Sequence, residues 1–292
     1  MPVDHEIDSR NENIQIYING SFYHRDEAKI SVYDSGFLMG DGIWEGLRLV
    51  NNKWIFIDEH IDRLFEGCKA IDLDIKMTKE DIVNALDETK TINNMSNEVH
   101  ARLMITRGNK SKPFQQPHLS ESGINIVIIM EHSKPSIDVK NITMATVPQV
   151  RGMPMSQDPK LNSHSKLNCI LACIQANKLG ADEALMLDPL GFVNTTNSCN
   201  FFIVKNNQVW TSTGDYCMNG VTRQNIINLC KENDIPIYEK NFSLVDVYSA
   251  NEAFITGTLG SLTNVISIDN RKIGIDSNPV TDTLRKYYKK LL

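Results

Sequence analysis

Three asparagine-containing dipeptides, each lying between runs of strand-forming residues, constrain the fold of this chain most strongly. Asn19-Gly20 separates IQIYI from SFYH, and Asn51-Asn52 separates WEGLRLV from KWIFI. A third dipeptide, Asn206-Asn207, lies inside FFIVKNNQVWTS. Asparagine and glycine tolerate the positive φ angles of tight hairpin turns, so each dipeptide predicts a pair of antiparallel strands.

Helical patterns alternate with these strands in the first part of the chain. IDEHIDRLFEGCKAI carries its apolar residues on one face, and Thr78 is suited to cap a helix over TKEDIVNALDETKTI. HARLMITRG and INIVIIM predict further strands, the second apolar throughout and therefore buried on both faces. Residues 1–131 thus predict a small α+β domain, followed by a polar linker at 132–140.

Residues 141–292 predict a second, larger α+β domain. ITMATV, EALMLD and EAFITGT predict strands, and VTRQNIINLCKEN predicts a helix. SHSKLNCILACIQANKLG predicts another helix, capped by Ser163 and ended by Gly180. Cys169 and Cys173 lie four residues apart on this helix, which is typical of small core residues. The six cysteines form no CxxC pair and no zinc-finger spacing, so no metal site is expected.

Composition narrows the class of partner. The chain has 292 residues, 41% of them hydrophobic, and can bury a sizeable core. Its net charge of -6 provides no sequence-wide basic field, which argues against nucleic acid or an anionic membrane as the main partner. No run of about 18 apolar residues occurs, and the polar N-terminus is unlike a signal peptide. A cytoplasmic protein that binds small molecules or proteins is expected.

Six motifs occur in an order that resembles one enzyme family. They are DSGFLMGDGIWEGLRL, DEHIDRLFEGCKAI, HARLMITRG, GADEALMLD, NGVTRQNI and ITGTLGSL. The set resembles the class-IV, fold-type IV aminotransferases that depend on pyridoxal 5'-phosphate (PLP), which include branched-chain and D-amino-acid aminotransferases and aminodeoxychorismate lyase. The resemblance implies a small N-terminal α+β domain, a larger C-terminal α/β barrel-like domain, a homodimer, PLP, and a small amino or keto acid as substrate.

The resemblance also implies a phosphate site. Arg63 in HIDRL takes the place of the family's phosphate-binding arginine, and a guanidinium binds phosphate oxygens with two parallel hydrogen bonds. NGVTR opens a helix, so the amides of Val221 and Thr222 are expected to be donors at the positive end of the helix dipole. By resemblance, Thr258 adds a hydroxyl to the same site.

Three residues are expected to face the substrate. His100 and Arg102 in VHARL lie where relatives carry a tyrosine and an arginine, and their spacing of two places both on one face of a strand. An imidazole beside an arginine is suited to a carboxylate. Trp44 stands where relatives usually carry phenylalanine and is expected to narrow the pocket.

The stretch DPKLNSHSKLNCILA departs from the family at the chemical centre. Aligned without gaps, it places Asn162 at the position of the lysine that binds PLP covalently, and an amide cannot form that bond. In GFVNTTNSCNFFIV, Thr195 replaces the glutamate that holds the pyridine nitrogen protonated. A hydroxyl can hydrogen-bond a neutral pyridine nitrogen but cannot stabilise a pyridinium by charge, so elimination or lyase chemistry competes with transamination.

Lys166 is the best remaining candidate for the amine. It takes the place of a tyrosine near the cofactor's ring oxygen, and it is expected in the first turn of its helix, where the dipole disfavours an ammonium. Three interpretations stay open. The chain is a divergent enzyme with Lys166 as a relocated amine, or it is an ordinary branched-chain or D-amino-acid transaminase. Alternatively, it is a non-catalytic homologue that binds PLP, pyridoxamine phosphate or another phosphorylated ligand non-covalently. The ordinary-transaminase interpretation makes Lys166 the usual lysine, and it requires a deletion of about four residues, just over one helical turn, before GADEAL.

Overall fold

A computed structural model describes residues 8–133, 141–274 and 277–292 and divides the chain into two compact units. Within the described ranges, the N-terminal unit contains residues 8–133 together with residues 162–166, and the C-terminal unit contains the rest. Residues 162–166 therefore pack with the N-terminal unit, although the sequence assigned them to the second domain. Most of the predicted linker, residues 134–140, lies outside the described residues.

The N-terminal unit is one antiparallel sheet with helices. Its elements are β1 (Gln15–Ile18), β2 (Ser21–His24), α1 (Ser35–Met39), β3 (Gly42–Val50), β4 (Lys53–Trp54), α2 (Ile57–Ala70), α3 (Lys79–Ile92), β5 (Val99–Thr106) and β6 (Asn125–His132). The strand order is β2-β1-β6-β5-β3-β4, and every neighbouring pair is antiparallel. Two short 3-10 turns occur at Ser9–Asn11 and Pro117–Leu119.

The predicted turns and caps form as their local chemistry requires. Asn51 and Asn52 both have positive φ, at 48° and 63°, and join β3 to β4. Thr78 and Asp81 form a capping box at the start of α3. Strand β4 is shorter than KWIFI predicted, because Phe56 takes a left-handed conformation with φ 52° and α2 begins at the next residue.

The C-terminal unit contains the remaining elements. They are β7 (Asn141–Thr146), α4 (Pro154–Gln157), α5 (Leu167–Lys178), β8 (Glu183–Leu187), β9 (Val193–Thr196), β10 (Asn200–Lys205), β11 (Gln208–Thr211), α6 (Val221–Glu232), β12 (Ile237–Glu239), α7 (Leu244–Tyr248), β13 (Glu252–Gly257), β14 (Ser261–Ile268), β15 (Arg271–Lys272) and α8 (Pro279–Lys289).

Six of these strands form a closed sheet. The order β10-β13-β14-β7-β8-β9 returns to β10, because Thr195 on β9 pairs with Asn200 on β10. The β14–β7 and β7–β8 pairs are parallel, and the other pairs in the ring are antiparallel. Phe201, Ile203 and Ile255 belong to its buried apolar core. The closed sheet is the barrel-like domain that the sequence led us to expect.

Helix α5 begins at Leu167, so the predicted start at Ser163 is wrong. The reason is that the preceding residues pair with β3 instead: the Trp44 amide donates to the Asn162 carbonyl at 3.0 Å, and the His164 amide donates to the Gly42 carbonyl at 2.9 Å. Ser163 forms an antiparallel bridge with Ile43, which requires an extended backbone, and its carbonyl accepts from the Trp44 Nε1 at 3.2 Å instead of from a helical amide. Lys166 consequently precedes the helix rather than lying in its first turn.

Helix α5 packs through alanines and not through its cysteines. Ala172 and Ala176 are fully buried, whereas Cys169 and Cys173 are only half-buried. The prediction that these cysteines are core residues is therefore wrong, because the close approach of the helix to the sheet selects the smallest side chains. In the described ranges, none of the helices has both the length and the apolar character that a membrane span requires.

Candidate active site

One face of the N-terminal sheet carries the residues predicted to meet the substrate. The register of β3 and β5 pairs Gly46 with Arg102 and Arg48 with His100. Because side chains alternate along a strand, Trp44, His100 and Arg102 project from the same face. The Arg102 guanidinium lies 4.2 Å from the centroid of the Trp44 ring, and Gly46 leaves room for the His100 ring, whose Nε2 would lie 3.2 Å from a Cβ at position 46.

Two ionisable side chains on this face, His100 and Arg102, differ in charge at neutral pH. Burial, together with the charge of Arg102, lowers the pKa of His100 to about 4. His100 is therefore neutral near pH 7, while Arg102 stays charged although burial lowers its pKa. Within the described part of the chain, Arg102 forms no ion pair. This face thus presents a cation, a neutral imidazole and an indole, a set suited to an organic carboxylate.

Residues 162–166, called here the docked segment, lie along the edge of β3. Ile43 and Ser163 form an antiparallel bridge, and the Trp44 indole Nε1 donates to the Ser163 carbonyl at 3.2 Å. This pairing aligns Asn162 with Trp44, so the Asn162 side chain projects from the Trp44 face. The docked segment therefore adds its own side chains to the face that carries Arg102.

Lys166 reaches back to Asn162. Its Nζ donates to the Asn162 Oδ1 at 3.0 Å and lies 5.5 Å from the Trp44 ring centroid. Asn162 is 5% exposed, and Lys166 is half-buried. The amine therefore lies next to the side chain that occupies the family's lysine position in the ungapped alignment.

Arg63 belongs to a buried hydrogen-bonded cluster. Its Nε and Nη2 donate to the two oxygens of Glu45 at 2.8 and 2.6 Å, and the His60 Nδ1 donates to the same carboxylate at 2.8 Å. Burial disfavours the charge on Glu45, but the hydrogen bonds and charges of Arg63 and His60 outweigh it and lower the pKa of the carboxyl. Glu45 thus stays ionised and orients the Arg63 guanidinium.

Glu45 and His60 were not singled out from the sequence. His60 lies three residues before Arg63, and residues at this spacing are neighbours on a helix surface. That spacing in HIDRL was an available signal. Glu45 had no comparable signal, because its contact with Arg63 joins a strand to a helix.

The start of α6 is a candidate anion site in the C-terminal unit. Its cap residue, Gly220, provides no side-chain hydrogen bond, so the helix start relies on other acceptors for its first-turn amides, which include Val221 and Thr222. Gly220 packs closely against the side chain of Asn200, which donates to the Met218 carbonyl at 2.9 Å. An uncapped helix start of this kind suits a phosphate.

The end of β13 lies next to this helix start. Asn200 pairs with Thr256 across the sheet, and the Thr256 hydroxyl is buried with no hydrogen-bond partner in the described residues. Thr258 follows two residues later and is half-buried. A buried hydroxyl that lacks a partner, close to an uncapped helix start, fits a ligand with several acceptor oxygens.

Thr195 lies on β9 and is 5% exposed. Its Oγ1 donates to the Cys199 carbonyl at 2.7 Å. The single hydroxyl proton is therefore engaged, and the oxygen can only accept a further hydrogen bond. Thr195 would have to break this bond before it could donate to a neutral pyridine nitrogen.

Comparisons with known proteins identify the family. The model of the amino-transferase class IV family matches residues 42–268. The chain is 36% identical to branched-chain-amino-acid aminotransferase-like protein 1 of Arabidopsis thaliana over 96% of this chain and 51% of that protein. It is also 36% identical to the putative branched-chain-amino-acid aminotransferase of Methanocaldococcus jannaschii, over 94% of this chain and 96% of that protein. The chain therefore spans about half the length of the Arabidopsis relatives.

A solved structure agrees with the sequence comparison. The branched-chain aminotransferase of the thermophilic archaeon Thermoproteus uzoniensis, crystallised with norvaline, matches with a TM-score of 0.87 and 26% identity over 95% of this chain and 94% of that one. The fold-type IV architecture predicted from the sequence is confirmed. The family depends on PLP and acts on amino and keto acids. The closed sheet, the ordered motifs and the matched residues together show that this chain belongs to the class-IV aminotransferase family.

Proposed function

We propose that the chain is a PLP-dependent enzyme that acts on a small amino or keto acid, with Lys166 as the amine that binds the cofactor. The 3.0 Å hydrogen bond between the Lys166 Nζ and the Asn162 Oδ1 carries this proposal. In the ungapped alignment, this bond holds the amine next to the position from which relatives provide theirs, which supports the proposal that Lys166 serves the same cofactor from a neighbouring attachment point.

The residues present fit the cofactor. In the C-terminal unit, the first-turn amides of Val221 and Thr222 and the Thr258 hydroxyl are proposed as phosphate ligands. In the N-terminal unit, the Arg63 guanidinium is proposed as a phosphate ligand. When bound, PLP supplies an aldehyde that bonds to amines and a ring that accepts electrons. Thr195 offers the ring nitrogen no charge, so we propose that the reaction is either transamination or elimination.

Substrate recognition is assigned to the Trp44 face. Arg102 is proposed to bind a carboxylate of the amino or keto acid, because it is charged, partly buried and without an ion pair in the described residues. His100 is neutral and adds a hydrogen bond. Trp44 narrows the space beside them and favours a small substrate.

Borohydride reduction tests the amine assignment. After incubation with PLP and reduction, peptide mass spectrometry is expected to find the pyridoxyl group on Lys166. Lys166→Met is expected to lose the label, whereas Lys160→Ala keeps it, because Lys160 is an exposed lysine in the same stretch of chain. Retention of PLP through its phosphate with no reducible adduct would instead support the non-catalytic, non-covalent interpretation.

We also propose that the protein is a homodimer whose interface includes α5. Leu167, Ile170, Leu171 and Ile174 recur at helical spacing and are between 44% and 68% exposed. A contiguous apolar stripe of this kind is typical of a subunit interface.

Introducing charge into the stripe is expected to produce monomers. The double substitution Ile170→Glu/Ile174→Glu adds two negative charges, and light scattering after size-exclusion chromatography reports the mass. Lys178→Glu, on the same helix, makes the same change in net charge and is expected to leave the dimer intact. A wild-type protein that is monomeric at micromolar concentration would contradict the proposal.

A further inference from the structure

His164 lies half-buried in the docked segment, in a position that only glycine at residue 42 permits. The His164 ring lies over Gly42, where a Cβ would be 2.7 Å from its Cδ2 and 3.1 Å from its Nε2. The next residue, Ser165, packs in the same way against Gly40. The docked segment is thus held to β3 by backbone pairing and by contact with Gly42, and to the end of α1 by contact with Gly40.

The hydrogen bonding of His164 suits only the neutral ring. The ring Nε2 is buried and has no hydrogen-bond partner in the described residues. A neutral imidazole carries one N–H and one lone pair, whereas a protonated ring carries two N–H donors. Protonation would therefore bury both a charge and a donor without an acceptor.

The charged groups around His164 come from three elements. Arg102 on β5 and Lys166 in the docked segment are cations, while Asp34 at the start of α1 is the carboxylate. Asp34 already accepts hydrogen bonds from the Gly36 and Phe37 amides and from the side chains of Thr106 and Asn125. Burial, and then the two cations, lower the pKa of His164 more than Asp34 and the Ile43 backbone raise it.

We propose that the docked segment is a proton-operated latch, in which protonation of His164 releases residues 162–166 from the edge of β3. Release breaks the backbone bonds to Gly42 and Trp44, and it takes Lys166 away from the Trp44 face. The effect on the cofactor-binding amine rests on the proposed function. The release itself does not.

The direction of the pH dependence follows from the depressed pKa of His164. The docked state binds fewer protons than the released state, in which the ring has its ordinary value near 6.5. Docking is therefore at full strength above about pH 6.5. It weakens about tenfold for each pH unit below that value, until the pH reaches the pKa of the docked ring.

Hydrogen–deuterium exchange of the cofactor-free protein tests the latch. After correction for intrinsic rates, peptides that contain the Trp44 and His164 amides are expected to lose protection about tenfold per pH unit below pH 6.5, while β6 stays protected. His164→Leu and His164→Gln cannot be protonated and are expected to abolish this dependence. His118→Leu removes an exposed histidine and is expected to leave it unchanged.

Two results would overturn the latch. One is wild-type protection that stays constant between about pH 7.5 and 5, and the other is an undiminished acid-induced loss in both His164 variants. If neither variant folds, an NMR titration of the wild-type His164 ring decides, because a ring pKa at or above 6.5 contradicts the proposal. Lys166→Met is expected to retain the acid-induced loss, so failure of the amine assignment and failure of the latch are distinguishable.

Discussion

Lys166→Met is expected to slow the reaction of the PLP-loaded protein with amino acids by about 10³-fold, which is the scale on which a positioned proton-transfer group contributes. The amine bonded to Asn162 is the group that the proposal assigns to cofactor binding and proton transfer. The measurement is the change in cofactor absorbance on mixing with L-leucine, L-glutamate or D-alanine. Undiminished rates would remove Lys166 from the mechanism.

A double substitution provides the matched control. Asn162→Lys/Lys166→Tyr recreates the arrangement that the resemblance describes, and it is expected to restore part of the rate and to move the borohydride label to position 162. The positions already contact each other, since the Lys166 Nζ lies 3.0 Å from the Asn162 Oδ1. If the chain instead follows the gapped alignment, Lys166 is the ordinary lysine, and the double variant is expected to stay inactive and unlabelled at position 162.

Glu45→Ala is expected to destabilise the protein by about 3–5 kcal/mol, because it removes the buried carboxylate to which Arg63 and the buried His60 donate. Glu45 is fully buried, and its carboxylate accepts three hydrogen bonds from these two residues. Urea unfolding at pH 7 measures the change. Asp62→Ala, on the helix that carries His60 and Arg63, is the control. Its ion pair with Lys79 is more than half exposed, and its loss is expected to cost no more than about 1 kcal/mol.

The same carboxylate predicts part of the acid sensitivity. Because the pKa of Glu45 is lowered in the folded protein, its ionisation contributes stability above its ordinary value of 4.5, and this contribution is lost as the pH falls further. Glu45→Gln is expected to flatten the acid limb of the stability curve. An unchanged acid limb would show that Glu45 is not ionised in the folded state.

Local signals predicted much of the fold correctly. The Thr78 cap and all three predicted hairpins formed, although β4 is shorter than predicted, because positive φ and first-turn hydrogen bonding depend on neighbouring residues. The ordered motifs identified the family, which the comparison over residues 42–268 confirmed. The same local signals were wrong at Ser163, where a good cap precedes an apolar periodic run.

The sequence alone determined the hairpins, most helices, the family and the residues to suspect at positions 162, 166 and 195. Only the tertiary structure showed that residues 162–166 pair with β3, which brings Lys166 to Asn162 and places His164 over Gly42. Local propensity favoured a helix at Ser163, but the backbone of this segment forms hydrogen bonds to a strand about 120 residues away in the sequence. Such pairing depends on residues distant in the chain, which no local pattern records.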